Sequence, residues 1–295
     1  MRYTGCVTNR EDLLPPELLD GLDVDEASPV SGGDISTALR LDTPGGPLFA
    51  KVHDAPTPGM FEREAAGLRA LAAHAPQGIR VPRVLREHPH GLILEWIETG
   101  GRRDTRTEQA FGRGLAHLHR TTNPTFGGLD GAKHGYIGSA QVDLTPSDDW
   151  VEFYVERRVS PLIDRAVRAG RLDPQARELF DSLRPRAAEL CGPAEPPALI
   201  HGDLWAGNRL VDRGGVNWLI DPSVHWAHRE VDLAMMQLFG GFDPHCFATY
   251  DEVYPLAEGS RDRVQWYQLT PLLVHAVLFG GHYGDACMRV LRHYA

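Results

Sequence analysis

The most constraining feature of this sequence is one ordered set of polar residues in its last third. Asp203, in His201-Gly202-Asp203, is followed after four intervening residues by Asn208 and, 13 positions further on, by Asp221. Phosphoryl transfer requires a positioned acceptor hydroxyl, a group that accepts its proton, and magnesium to neutralise the phosphate charge. Asp203 is the predicted catalytic base, and Asn208 and Asp221 offer the hard oxygen ligands that magnesium prefers. The spacing therefore predicts a phosphotransferase.

The residues between the two predicted metal ligands support this interpretation. Arg209 to Asp212 and Val216 to Ile220 are short strand-like runs around the turn Arg213-Gly214-Gly215. Such a pattern is typical of a β-hairpin, which would bring the residues at its two ends together. The alternative is that His-Gly-Asp and Asn208 are ordinary turn residues, but three such elements seldom occur in this order by chance.

The other parts of an ATP site are expected upstream. Gly32 and Gly33 precede the first predicted strand, where a glycine turn would let backbone N–H groups approach phosphates, although a Gly-Gly pair alone is also a common loop. Lys51 lies between apolar residues in a short strand and is predicted to contact the phosphates. Glu64 is its predicted partner rather than Glu62, because Glu64 lies nearer the apolar face of the following helix.

An apolar strand from Leu92 runs into the predicted junction between two parts of the chain. The segment Glu95, Trp96 and Ile97 is predicted to bind adenine there, through the backbone groups of Glu95 and Ile97. The same segment is also a buried strand on any interpretation, and the two descriptions are compatible.

The order of predicted elements indicates an α+β fold of two lobes. Residues 1–98 contain strand-like runs and one helix, and are predicted to form a small, strand-rich N-lobe that binds the nucleotide. Residues 99–295 are dominated by helical periodicity and are predicted to form a larger C-lobe with the catalytic loop and acceptor site. Within it, the Gly-rich stretch 123–146 is predicted to be a long loop.

Composition excludes several other classes of protein. The formal charge is −10, from 30 Lys and Arg against 40 Asp and Glu, and this argues against a nucleic-acid partner. No segment approaches the ~18 uninterrupted apolar residues of a membrane span, and the first 12 residues hold no apolar stretch of the kind found in secretion signals. The four cysteines show no paired spacing, so we expect a reduced, cytoplasmic protein. A monomer is the favoured oligomeric state.

Two segments carry a resemblance to a known family. They are His201-Gly-Asp-Leu-Trp-Ala-Gly-Asn208 and the run from Ile220-Asp-Pro through Arg229-Glu-Val-Asp-Leu-Ala-Met235. Through these segments the chain is similar to the fructosamine kinase (ketosamine-3-kinase) family, which is related to aminoglycoside and choline kinases. The first segment is shared by many small-molecule kinases, whereas the second is far more selective. The resemblance covers nearly the whole chain and implies a protein-kinase-like fold.

The resemblance also implies an activity. Enzymes of this family use ATP and Mg²⁺ to phosphorylate the sugar 3-hydroxyl of a ketosamine, on a small amine or a glycated protein, and the unstable product leads to deglycation. By analogy with kinases, Asp232 is expected to brace the catalytic loop. The alternatives are a kinase for another hydroxyl acceptor, such as an aminoglycoside or a choline-like amine, and a catalytically inactive nucleotide-binding module. A histidine-based metal hydrolase is a third alternative, but no ligand spacing supports it.

Overall fold

The computed structural model describes residues 14–30 and 36–295. The predicted glycine turn at Gly32 and Gly33 lies outside the described residues, as does the neighbouring Asp34. Six strands are described before residue 98: β1 (Glu26–Pro29), β2 (Thr37–Asp42), β3 (Leu48–Val52), β4 (Ile79–Arg80), β5 (Val84–His88) and β6 (Gly91–Glu95). All except β4 form one antiparallel sheet in the order β1–β2–β3–β6–β5.

The two faces of this sheet are covered by different helices. One face buries Leu39, Ala50 and Ile93 against the short helix α1 (Pro16–Leu19). The other face buries Leu92 and Leu94 against helix α2 (Met60–His74), whose apolar residues recur every three or four positions as the sequence predicted. Because neighbouring residues of a strand face opposite sides, Lys51 of β3 lies on the α2 side.

Helices dominate the remainder of the chain. They are α3 (Thr105–Leu118), α4 (Trp150–Glu152), α5 (Ser160–Arg168), α6 (Gln175–Leu183), α7 (Ala187–Cys191), α8 (Glu230–Leu238), α9 (Pro244–Val253), α10 (Ser260–Phe279) and α11 (His282–Tyr294). A π-helical stretch, Phe153–Val159, joins α4 directly to α5. The core of this part is rich in aromatic side chains, including Phe153, Tyr154, Trp266 and Tyr267. Together with the sheet, it forms the predicted two-lobe, protein-kinase-like fold, whereas the boundary between residues 98 and 99 stays a prediction.

The prediction of a long loop over residues 123–146 is wrong. This stretch contains β7 (Gly127–Gly128) and an antiparallel hairpin formed by β8 (His134–Ile137) and β9 (Ala140–Asp143). Burial alternates along both strands of the hairpin, and Gly138 in the turn adopts a positive φ of 57°. The strands are four residues long, too short for their alternation to stand out among the surrounding glycines.

Two small sheets set the position of residues 201–208, which contain the predicted catalytic base and which we call the catalytic segment. β10 (Ala198–Ile200), β13 (His225–Ala227) and β7 form one sheet. β11 (Arg209–Val211) and β12 (Asn217–Leu219) form the predicted hairpin, and β4 joins it in parallel. The hairpin is therefore attached to the first part of the chain. No helix in the described ranges is long and apolar enough to cross a membrane.

Candidate active site

Lys51 lies at the centre of a charged cluster between the sheet and the catalytic segment. Its Nζ donates hydrogen bonds to Oε1 and Oε2 of Glu64 at 3.1 and 3.0 Å, and to Oδ1 of Asp221 at 3.1 Å. The partner from α2 is therefore Glu64 and not Glu62, as the position of the apolar face predicted. Burial disfavours the Lys51 ammonium, but the carboxylates of Asp221 and Glu64 outweigh it and raise the pKa of Lys51 above its ordinary value. The lysine remains a cation across the physiological pH range.

Asn208 connects Asp203 with Asp221. It ends a short 3₁₀ turn, Ala206–Asn208, that leads directly into β11. Its Nδ2 donates to the backbone carbonyl of Asp203 at 2.8 Å, to Oδ2 of Asp203 at 3.2 Å and to the carbonyl of Asp221 at 3.4 Å. The hairpin between Asn208 and Asp221 closes on itself, with the N–H of Ile220 donating to the carbonyl of Asn208 at 3.0 Å. The residues predicted from spacing thus lie together.

The environment of Asp203 suits a group that accepts a proton. Burial, and next the carboxylate of Asp221, raise the pKa of Asp203 to about 7, against the opposing effect of the Asn208 hydrogen bond. A general base works best when its pKa lies near the operating pH, since it must be ionised yet still basic. The position and the pKa of Asp203 are therefore both compatible with the predicted role.

The backbone around these residues is tightly constrained. Asp221 adopts a left-handed φ of 52°, and Gly202 adopts a φ of 82°. A Cβ at Gly202 would lie 2.0 Å from the carbonyl oxygen of Ser223, so only glycine fits there. The N–H of Ser223 in turn donates to the carbonyl of His201 at 2.9 Å, which holds the catalytic segment against the residues that follow Asp221.

Asp232 of α8 fixes the start of the catalytic segment. The Asp232 carboxylate is fully buried and accepts the N–H of His201 at 2.7 Å and the N–H of Gly202 at 2.9 Å. The brace expected for Asp232 is therefore present in the structure. The ring of His119 contacts the same carboxylate at 3.2 Å through Nε2, and its Nδ1 lies 2.9 Å from the hydroxyl of Tyr250. Nothing in the local sequence connects these residues, since His119 and Asp232 are 113 positions apart.

The site opens into a cavity of about 810 Å³ lined by Lys51, Glu64, Asp203, Asn208 and Asp221. Its lining also includes a cluster of aromatic side chains, which we call the aromatic end: Trp205, Phe239, His275, Phe279 and Tyr283.

Trp205 belongs to the cavity wall and not to the core. Its side chain is 42% exposed and meets Phe239 edge-on, with the ring centroids 6.4 Å apart. A Cβ on Gly207 would lie 2.2 Å from the indole ring, so the glycine in Trp205-Ala206-Gly207 makes room for this tryptophan. The catalytic segment therefore contributes to the wall of the cavity as well as the predicted base.

The predicted adenine segment lies apart from this cluster. Glu95 is opposite Leu48 in the β3–β6 ladder, three residues along β3 from Lys51 and so about 10 Å away. The N–H of Glu95 donates to the carbonyl of Arg83 at 3.0 Å, which leaves the carbonyl of Glu95 and the N–H of Ile97 as the predicted contacts for adenine. Trp96 is covered by the guanidinium of Arg40, 5.0 Å from the centroid of its ring.

The donor set at Asn208 and Asp221 fits a magnesium ion. Asn208 makes its hydrogen bonds through Nδ2, so its Oδ1 accepts none among the described residues. Lys51 occupies Oδ1 of Asp221 and not Oδ2. Two protein oxygens suffice for magnesium bound together with a nucleotide, since phosphates and water supply its other ligands. No group of three or more His, Cys, Asp or Glu residues in the described ranges could hold a metal ion.

Comparison with known proteins agrees with this geometry. The sequence model of the fructosamine kinase family matches residues 8–295. A candidate fructosamine-3-kinase from Thermobifida fusca, known from its crystal structure, is 36% identical, with 95% of this chain and 97% of that chain covered and a TM-score of 0.85. The chloroplastic protein-ribulosamine 3-kinase of Arabidopsis thaliana is 32% identical over 90% of this chain and 81% of its own length.

A more distant likeness concerns the fold alone. A choline/ethanolamine kinase family protein from Mesorhizobium loti is 15% identical, with 97% of this chain and 92% of that chain covered and a TM-score of 0.58. Fold likeness at this distance confirms the protein-kinase-like architecture that the resemblance implied. Within that architecture, the family model that matches residues 8–295 is that of the fructosamine kinases. The chain belongs to the fructosamine kinase family.

Proposed function

We propose that this protein is an ATP- and Mg²⁺-dependent kinase that phosphorylates the sugar 3-hydroxyl of ketosamines, which leads to deglycation. The observation that carries the proposal is the convergence of Lys51, Asp203, Asn208 and Asp221 on one cavity, in a chain that belongs to the fructosamine kinase family. Membership of a kinase family implies ATP as the phosphate donor. The named relatives, a candidate fructosamine-3-kinase and a protein-ribulosamine 3-kinase, support a ketosamine as acceptor.

Each charged residue has a distinct role in this proposal. Lys51, held by Glu64, contacts the phosphates as a cation. Asn208 and Asp221 hold magnesium, which neutralises phosphate charge when it is bound. Asp203 orients the acceptor hydroxyl and receives its proton as the oxygen attacks the terminal phosphorus of ATP. The bond from that phosphorus to the bridging oxygen breaks, and ADP leaves with the electron pair.

The nucleotide is proposed to extend from this cluster towards the segment that joins the two lobes. The carbonyl of Glu95 and the N–H of Ile97 would bind adenine, with Trp96 beside them. The glycine turn at Gly32 and Gly33 would cover the phosphates. This arrangement corresponds to an N-lobe of residues 1–98 and a C-lobe of residues 99–295.

The aromatic end of the cavity favours a ketosamine over a polycationic acceptor. The side chains there are Trp205, Phe239, His275, Phe279 and Tyr283, whereas the carboxylates that line the cavity, Glu64, Asp203 and Asp221, contact Lys51 or Asn208. Aromatic faces pack well against a sugar or the aliphatic part of a lysine, and they attract a single ammonium group. An aminoglycoside carries several ammonium groups, which would lack counter-charges in this part of the cavity. The acceptor is therefore proposed to be a ketosamine on a small amine or on a protein lysine, handled by a cytoplasmic monomer.

An acceptor panel tests the proposal. Purified protein would be assayed for ATP consumption with lysine adducts of fructose, ribulose and erythrulose, and with an aminoglycoside and choline as competing acceptors. We expect turnover with at least one ketosamine, Mg²⁺-dependent, with ³¹P and ¹³C NMR locating the phosphate on carbon 3. Turnover confined to the aminoglycoside or to choline would refute the ketosamine assignment. ATP binding with no phosphorylation of any acceptor would instead favour an inactive nucleotide-binding module.

A further inference from the structure

Behind Asp203 lies a second, much smaller cavity, which we call the inner pocket. It has a volume of about 20 Å³, and its polar lining residues include Asp203, Arg158, His225 and Thr270, besides Tyr154. Asp203 and Ile137 line both this pocket and the large cavity, so the inner pocket adjoins the proposed acceptor site. Its volume suits one hydroxyl-bearing group or one ordered water.

Arg158 is a buried cation with few partners. It projects from the π-helical stretch Phe153–Val159, a rare geometry that occurs frequently at functional sites. The side chain is 3% exposed, and its one hydrogen bond within residues 14–30 and 36–295 is a long one, 3.5 Å from Nη1 to the carbonyl of Asp143. A guanidinium has five N–H donors, and buried donors normally find acceptors. Arg158 therefore has donors available for a ligand in the inner pocket.

Two further groups complete a mixed set of donors and acceptors. Thr270 is 4% exposed, and its Oγ1 is buried with no hydrogen-bond partner in the described part of the chain. The hydroxyl of Tyr154, which also lines the inner pocket, donates to the carbonyl of Trp266 at 2.6 Å, so towards Thr270 it can act only as an acceptor. His225 uses Nδ1 to contact the carbonyl of Ser223 at 2.8 Å. Burial, and next the charge of Arg158, lower the pKa of His225 to about 3, so its ring is neutral and Nε2 is an acceptor.

We infer that the inner pocket is a subsite for a hydroxyl of the acceptor sugar beyond carbon 4. A hydroxyl both donates and accepts, and it therefore matches Arg158 and Thr270 as donors and His225 as acceptor. The inference rests on the proposed function, because the reacting 3-hydroxyl must lie at Asp203. The distal carbons of the same sugar then extend past Asp203 into the inner pocket. This subsite distinguishes five-carbon from four-carbon ketosamines.

The test compares lysine adducts of erythrulose and ribulose, which differ by one hydroxyl-bearing carbon. For the wild-type protein, we expect a higher kcat/KM with the ribulose adduct. Thr270→Val keeps the size of the side chain and removes its hydroxyl, and we expect it to lower the ribulose-to-erythrulose preference about tenfold. Arg158→Met should lower the preference in the same way, and Arg158→Lys should retain part of it. Thr249→Val, at a buried threonine of α9 that lines neither cavity, is the matched control.

The outcomes separate the subsite from the proposed function. An unchanged preference in a folded Thr270→Val protein would overturn the subsite, and would leave the inner pocket as a site for structural water. An equal fall in kcat/KM with both adducts would overturn the subsite too, because it would indicate a general effect on the fold. Absence of turnover with every ketosamine in the wild-type protein would refute the proposed function, and the subsite with it.

Discussion

Replacing Asp232 by asparagine tests how the catalytic segment is held. The substitution keeps the shape of the side chain but leaves it one acceptor oxygen in place of two. In the wild-type protein one carboxylate oxygen accepts from the N–H of His201 and the other from the N–H of Gly202. In either orientation, the amide of asparagine would turn its NH₂ group towards one of these N–H groups. That donor would be left buried without an acceptor.

The size of the effect follows from this geometry. A hydrogen bond to a buried charged group contributes about 1.5–3 kcal/mol, and an unsatisfied donor adds to the loss, so we expect the free energy of unfolding to fall by about 3 kcal/mol. For a chain of 295 residues the entropy of unfolding is about 0.6 kcal/mol/K, so Tm should fall by about 5 °C. Because Asp203 follows directly, its displacement should also lower kcat at least about tenfold.

Differential scanning calorimetry and steady-state kinetics would measure the two effects. Asp243→Asn is the matched control: Asp243 is an exposed N-cap of α9, and asparagine caps a helix as well as aspartate does. If Asp232→Asn had a Tm within about 1 °C of the wild-type value and a normal kcat, the reasoning about Asp232 would be refuted.

The same carboxylate makes the stability depend on pH. Burial opposes the ionisation of Asp232, but hydrogen bonds and charge from His119, together with His201 and the N–H of Gly202, prevail and lower the pKa of Asp232 below its ordinary value. Its contribution to stability is therefore complete above about pH 4, the ordinary pKa of aspartate, and is lost as the pH falls through the lower native value. Asp232→Asn should lack this part of the acid dependence, which pH-dependent unfolding would show.

Further predictions concern the catalytic groups. Asp203→Ala should lower kcat by about 10²–10⁴ while the Kd of ATP, measured by calorimetry, changes little; near-normal turnover would remove Asp203 from the mechanism. Lys51→Met should lower kcat and raise the KM for ATP, and unchanged constants would contradict a contact with phosphates. Asp221→Ala should abolish Mg²⁺-dependent turnover, and unchanged metal dependence would count against Asp221 as a ligand. Since the pKa of Asp203 is raised to about 7 and the base must be ionised, kcat/KM at low Mg²⁺ should rise with pH up to about 7; a flat profile down to about pH 5 would exclude Asp203 as the titrating base.

Much of the candidate site could be predicted because its spacing is local. Asp203, Asn208 and Asp221 lie within one loop and one hairpin, so their order in the sequence already brings them together. The choice of Glu64 over Glu62 also followed from the sequence, since helical periodicity determines which residues of α2 face the sheet. The hairpin β8–β9 was missed because its strands are short and rich in glycine neighbours, although its alternation is present in the sequence.

Other features depend on how distant elements pack. Lys51 and Asp221 are 170 positions apart, and His119 and Asp232 are 113 positions apart. No local pattern records such pairs, because they depend on the angles and distances at which helices and sheets meet. The inner pocket is a still clearer case, since the π-helical stretch, the catalytic segment, β13 and α10 each contribute one of its polar groups. The sequence alone determined the catalytic segment, the family and the kind of chemistry, because these are encoded in residues close along the chain. The contact of His119 with Asp232, the aromatic wall and the inner pocket were decided only by tertiary packing, which brings residues far apart in sequence within contact distance.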